Sequence, residues 1–390
     1  MAARHQQRVD DFDRCLARDV IDLQQLQELS YRGVPEGGGR RATAWRVLLG
    51  YLPVKKKLWK EVCHEKRELY RQLVDEMVVA SPEVGSPVEE DHPLNPSPSS
   101  QWQAFFRDNE VLLQIDKDAR RLCPDLTFFQ QATQFPQVVV VGDKDQGIPA
   151  KERLHARVTQ AQLEAQSVQR KGVGPSMLAV SKKRAVEDYA PLSEGQEAHW
   201  EVVERMLFLY AKLNPGQGYV QGMNEIIGPI YYVLASDSRT EWRKYAEADC
   251  FFCFTNLMSD IRDFFIKTLD DSATGIHSMM SKLGQRLQTV DPAVATCLQD
   301  QGIKMQFFAF RWLTLMLSQE FALPDVLRLW DALLTDDTRS KLLVDVCVSM
   351  LFLVRDNLLN SDFASNLKML QNYPLMDMRL ILGKAKELSI

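Results

Sequence analysis

Residues 137–142 read QVVVVG, and whether they form a strand decides the fold class. Four β-branched residues in a row, closed by a glycine, have the composition of a short buried strand. No second run of this kind flanks them, and one strand cannot make a sheet. The run is therefore expected to be extended coil or the edge of a helix, and the chain all-α.

The flanking sequence supports that reading. In 200–213, WEVVERMLFLYAKL, the residues Trp200, Val203, Leu207 and Tyr210 fall at helical spacing on one face. The block 307–321, FFAFRWLTLMLSQEF, is apolar nearly all round and is expected to be buried. Leu323-Pro324 ends it, and Asp325 is placed to cap the next helix, VLRLWDALL. Residues 342–359 and 376–388 continue the helical pattern. Two stretches depart from it. Residues 81–100, SPEVGSPVEEDHPLNPSPSS, carry five prolines and read as a long loop. Residues 142–198 hold a single aromatic, Tyr189, and read as a helix near 150–169 followed by a loop. Strongly apolar helices lie on both sides of each stretch, so both read as insertions within one helical domain.

Composition narrows the function. The chain has 390 residues, is 45% hydrophobic and carries a formal net charge of −5, which disfavours nucleic acid as its main partner. Its seven cysteines are an odd number without framework spacing, as expected of reduced thiols in a cytosolic protein. The N-terminus lacks the apolar core of a secretory signal, no apolar run reaches the roughly 18 residues of a membrane span, and no common lipid anchor is encoded. Cofactor motifs are also missing. GDKDQGI at 142–148 has the glycine spacing of a phosphate loop but places Ile148 where lysine must stand. Cys250 and Cys253 form one CxxC with no second pair to complete a zinc site, so they read as small core residues. The chain is expected to hold no nucleotide, metal or flavin by itself.

Two polar stretches remain. In QIDKDARRLCPD, 114–125, a helix over 110–123 would present Leu112, Ile115, Ala119 and Leu122 as its apolar face. Asp118 and Arg121 then form an i,i+3 pair on the flank, and Pro124 places Arg121 in the last turn. This is either a solvated ion pair, worth well under ~1 kcal/mol, or an arginine held by a carboxylate and aimed at an anion. In NPGQGYVQGMNE, 214–225, Gly216, Gly218 and Gly222 allow close backbone approach around Tyr219 and Gln221. Gln221 can orient a water or a phosphate oxygen but cannot act as a general base, having no pKa near neutrality. The alternative is an ordinary polar helix N-terminus.

Taken together, the sequence resembles the TBC-domain family of Rab GTPase-activating proteins. Three family signatures occur in the family's order: RxxxW at Arg41–Trp45, IxxDxxR at Ile115, Asp118 and Arg121, and YxQ at Tyr219 and Gln221. YxQ alone is weak, since YRQ at 70–72 also matches, but that copy sits in a charged helical run without glycines. The resemblance covers about 33–340, with 1–32 as a helical extension, loop insertions at 81–100 and 142–198, and C-terminal helices at 341–390. It implies an all-α fold of two helical lobes with a groove between them. It also implies an enzyme activator, not an enzyme with its own substrate. A GTP-bound Rab would hold GTP and magnesium, Arg121 would neutralise charge developing on the phosphates, and Gln221 would place the attacking water. Asp118, Tyr219, Ile115, Gly222 and Asn224 would support these two, Arg120 would be a surface cation, and Arg41 and Trp45 would stabilise the fold. The expected setting is cytoplasmic, with transient recruitment to endomembranes through the Rab and a role in vesicle traffic. The other reading is a catalytically weak helical adaptor that binds Rab-GTP. Two positions differ from the family's usual pattern: a Gly-Gly-Gly run precedes Arg40-Arg41, and Leu122 stands where many members have threonine.

Overall fold

The computed structural model describes residues 2–79, 101–143, 147–150, 153–158, 192–193, 195–266, 269–270, 272 and 274–388. The 81–100 insertion and most of 142–198 therefore lie outside the described residues. Of the helix expected at 150–169, residues 150 and 153–158 are described, and of these 154–158 are helical while 150 and 153 are not. Among the described residues the fold is all-α, with isolated bridges such as Ala132 to Ala198 in place of strands. None of these helices is long and apolar enough to cross a membrane. The strand-like run is a helical turn, Val138–Val141, in which the amides of Val140 and Val141 both donate to Gln137 at 2.9 Å. Without a neighbouring strand, its backbone groups are satisfied locally.

The chain divides into two compact units, residues 1–67 with 225–390, and residues 68–224. In the first unit the Lys341–Leu353 helix packs against Met378–Leu388 and Ile276–Val290, and Leu23–Tyr31 packs against Leu323–Leu333. Side-chain caps mark several helix starts. Asp22 accepts from the Gln25 amide at 3.1 Å, and Asp291 accepts from the Val294 amide at 3.2 Å ahead of Pro292. Asp325 does not cap its helix. Leu323–Leu333 starts two residues earlier, with Ala322 at the N-cap and Pro324 in the first turn, where a fixed φ suits the helix. Asp325 instead lies in the first turn, where its charge favours the helix dipole. The apolar block 307–321 is only partly helical, at Ala309–Thr314, and its phenylalanines Phe307 and Phe310 are exposed.

In the second unit the Gln101–Arg120 helix packs against His199–Leu213. The latter is more than an amphipathic surface helix. Every residue from His199 to Ala211 is buried, including Glu201, Glu204 and Arg205. Two of these buried charges are paired, as buried charges generally must be: Arg205 with Glu197 through a contact of 3.1 Å, and Glu201 with Arg153 at 3.0 Å.

Candidate functional site

The turn after the Gln101–Arg120 helix is shaped by that helix's apolar face. Leu112, Ile115, Ala119 and Leu122 are all buried, which fixes the helix rotation. The helix ends one residue before Arg121. The Arg121 amide donates to the Asp118 carbonyl at 3.1 Å and the Leu122 amide to Ala119 at 3.3 Å, a tightening to i→i−3 bonding that precedes Pro124. Cys123 takes the left-handed conformation at φ 44°, so the chain turns sharply away. The Arg120 carbonyl, left over at the helix end, accepts from Gln130 Nε2 at 3.2 Å. Arg121 is exposed on this turn and, among the described residues, its side chain has no ion pair or hydrogen bond.

Asp118 does not pair with Arg121 as the i,i+3 spacing predicts. Its carboxylate accepts the Tyr219 hydroxyl at 2.7 Å, while Asn224 Nδ2 donates to the Asp118 carbonyl at 3.3 Å. Tyr219 and Asn224 are buried, so these bonds tie the 214–222 loop to the end of the Gln101–Arg120 helix from a shielded position. The loop is rigid on its own side as well. The Asn214 carbonyl accepts from the amides of Gln217 at 3.0 Å and Gly218 at 2.7 Å, and Tyr210 donates to Gln217 Oε1 at 2.9 Å. Gly218 and Gly222 adopt φ 65° and 103°, which side-chain-bearing residues rarely accept. Gln221, between them, is exposed and, among the described residues, its side chain has no hydrogen-bond partner. The other YxQ, at 70–72, sits inside the Trp59–Val74 helix, where Gln72 bonds Glu68 at 3.3 Å.

Arg120 is not a surface cation. Its side chain is 6% exposed, its Nε donates to Asp116 Oδ1 at 2.8 Å, and its guanidinium lies 4.2 Å from the centre of the Trp200 ring. Beside them, burial pushes the Glu204 carboxyl well above its usual range, and the Asp116 charge pushes it further. An i,i+4 pair on the inner side of the last turn therefore anchors the segment that carries Arg121. Removing one partner of a buried pair costs about 3–5 kcal/mol. Arg120→Ala should accordingly lower the melting temperature sharply, which thermal unfolding beside wild type will measure. An unchanged melting temperature would contradict this burial.

Arg41 and Trp45 belong to the other unit and meet at a residue that sequence reasoning missed, Asp331. Arg41 Nε donates to Asp331 Oδ1 at 3.0 Å, Trp45 Nε1 donates to the same oxygen at 2.9 Å, and the Val34 amide donates to Oδ2 at 2.9 Å. Asp331 is fully buried, and that burial raises its carboxyl pKa despite the neighbouring Arg41 guanidinium. The signal in the sequence was a single acid inside the apolar run LRLWDALL. The Gly-Gly-Gly run precedes the Arg40–Leu48 helix, which carries Arg41 and Trp45, with left-handed φ of 80°, 63° and 67°, and a Cβ at Gly39 would fall 2.2 Å from Arg239. Asp331→Ala should leave the buried Val34 amide and Trp45 indole N–H without their acceptor and Arg41 without its buried counter-ion, and cost about 3–5 kcal/mol. Urea unfolding tests this; a loss under about 1 kcal/mol would show that the cluster is incidental.

Cys250 and Cys253 lie buried in Ala246–Ile261, their thiol pKa values raised by burial. Among the described residues no group of metal-ligating side chains is arranged to hold an ion.

A model of the Rab-GTPase-TBC domain matches residues 183–359. Human TBC1 domain family member 13 is 50% identical across all of this chain and 99% of its own length. A TBC domain-containing protein of Schizosaccharomyces pombe is 35% identical over 98% of this chain and 73% of its own length. Among solved structures, the Ypt/Rab-GAP domain of Gyp1p superposes with a TM-score of 0.67 at 23% identity, covering 99% of this chain and 97% of that one, a likeness of fold. On this identity over its full length, the chain belongs to the TBC-domain family.

Proposed function

We propose that this protein accelerates GTP hydrolysis by a Rab GTPase, supplying Arg121 and Gln221 in trans. One observation carries this reading. The two turns bearing these residues are locked to each other through Asp118, Tyr219 and Asn224, yet Arg121 and Gln221 themselves are left exposed and, among the described residues, without side-chain partners. Side chains whose supports are fixed and whose polar ends are unused suit a site completed by another molecule.

The chemistry follows from what each group can do. Phosphoryl transfer needs charge stabilisation and alignment more than covalent help. The guanidinium of Arg121 offers a planar fork of donors to the phosphate oxygens. The amide of Gln221 both donates and accepts, so it can hold a water in line with the γ-phosphate. GTP and magnesium belong to the Rab, and the protein is an enzyme activator. Names of family relatives that include Rab-GAP agree with this role. In the cell it would act from the cytoplasm on Rabs at endomembranes and so regulate vesicle traffic.

The test is multiple-turnover hydrolysis with a panel of GTP-loaded Rabs and catalytic amounts of this protein. At least one Rab should release phosphate many times per activator molecule. Tight binding to a GTP-loaded Rab without acceleration would instead make the protein an adaptor or effector.

A further inference from the structure

The first unit divides its cations into two populations. Its interior arginines are committed: Arg46 to Asp249 at 3.0 Å and Asp237 at 3.2 Å, Arg67 to Asp249 at 2.8 Å, and Arg239 to Asp237 at 2.8 Å. All three guanidiniums surround the Trp242 ring, at 4.7, 5.2 and 5.5 Å from its centre. Trp242 in turn meets Trp59 edge-on, with ring centres 6.1 Å apart. That contact gathers two segments, 55–66 and 241–245, whose cations are lysines apart from Arg243, which is half-buried. Among the described residues, Lys55, Lys56, Lys57, Lys60, Lys66 and Lys244 make no ion pair. Glu61, Glu65 and Glu241 share these segments, but none of the three pairs with a lysine, and the lysines outnumber them.

Aromatic rings lie among these lysines. Lys56 Nζ stands 5.5 Å from the Trp59 ring, Lys66 Nζ 4.6 Å from Phe252 and Lys244 Nζ 5.7 Å from Tyr245. Tyr245 is 38% exposed, and Trp59 and Trp242 are half-buried. On a chain of net charge −5 this is a local reversal of sign. The type of cation indicates the partner. Shaped recognition of a carboxylate or phosphate uses the arginine fork, and here the forks of Arg46, Arg67 and Arg239 are consumed internally. What remains outward is a set of flexible ammonium groups, which suit a diffuse negative field. Partly exposed Trp and Tyr beside them suit a boundary between water and hydrocarbon.

We propose that this lysine-rich aromatic surface docks directly on an anionic phospholipid bilayer, independently of any GTPase. Lys55, Lys57 and Lys60 supply attraction to the headgroups, and Trp59, Trp242 and Tyr245 rest at the headgroup level.

The experiment is sedimentation of the full-length protein with phosphatidylcholine vesicles, with and without phosphatidylserine, and with no Rab present. Binding should require phosphatidylserine and weaken as salt is raised. Lys55→Glu/Lys57→Glu/Lys60→Glu should weaken it roughly tenfold or more, and the matching glutamine triple by a smaller factor. A control triple of unpaired lysines elsewhere in the same unit, Lys282→Glu/Lys304→Glu/Lys341→Glu, should retain most of the binding. Melting temperatures of all variants should match wild type, because every altered side chain is exposed. Binding that ignores phosphatidylserine would overturn the proposal, as would equal loss in the control triple. Retention of soluble polyglutamate in preference to vesicles would also overturn it, assigning the surface to an acidic protein.

Discussion

Arg121→Ala should abolish stimulated GTP hydrolysis while leaving the fold unchanged. An arginine finger is worth about 10³–10⁵ in rate, roughly 4–7 kcal/mol of barrier. No surface ion pair could produce such a loss. The structure removes the usual ambiguity of such a mutation, because Arg121 is exposed and, among the described residues, holds nothing in place. Its deletion should therefore change stability by no more than about 0.5 kcal/mol. Arg121→Lys keeps the charge but loses the planar fork, so partial activity at most is expected. The neighbouring Arg120→Ala gives the opposite profile, with a large fall in melting temperature from a broken buried pair. Single-turnover hydrolysis and thermal unfolding, measured on both variants, separate the two roles. Normal activity of Arg121→Ala would remove it from the chemistry.

Gln221→Ala is expected to lower the maximal stimulated rate by about two orders of magnitude or more, the scale of losing one oriented polar group in a transition state. Affinity for Rab-GTP should change much less, because an interaction made only as the transition state forms contributes little to ground-state binding. The complex with Rab-GDP and aluminium fluoride, which mimics the transferring phosphoryl group, should weaken far more than the GTP-state complex. Gln72→Ala provides the comparison. It alters the same tripeptide pattern within a helix, where Gln72 only bonds Glu68, and it should change neither rate nor binding. Equal loss of affinity in both states would make Gln221 a docking residue.

Much of this was legible in the sequence, for identifiable reasons. A lone run of valines cannot form a sheet, so the all-α class followed, although the run proved to be a helical turn. The apolar spacing of Leu112, Ile115, Ala119 and Leu122 gave the correct buried face. What it could not give was the partner of each polar side chain. Asp118 and Arg121 have i,i+3 spacing, yet Asp118 bonds Tyr219, a residue far along the chain. Arg120 was misread because its environment comes from Trp200, on another helix. Asp331 was overlooked for the same reason, since its partners Arg41 and Trp45 lie about 290 residues earlier. Local periodicity locates a side chain on a helix, whereas the tertiary fold decides what it meets.

The most direct test uses a responsive Rab whose own catalytic glutamine has been replaced by alanine. Its single-turnover hydrolysis is measured with wild-type protein and with Gln221→Ala. If Gln221 supplies the water-positioning amide in trans, the wild-type protein should still accelerate this Rab by orders of magnitude, and Gln221→Ala should not. Loss of all stimulation once the Rab glutamine is gone, with the unmodified Rab still stimulated, would contradict the account and leave Arg121 to act with the Rab's own glutamine.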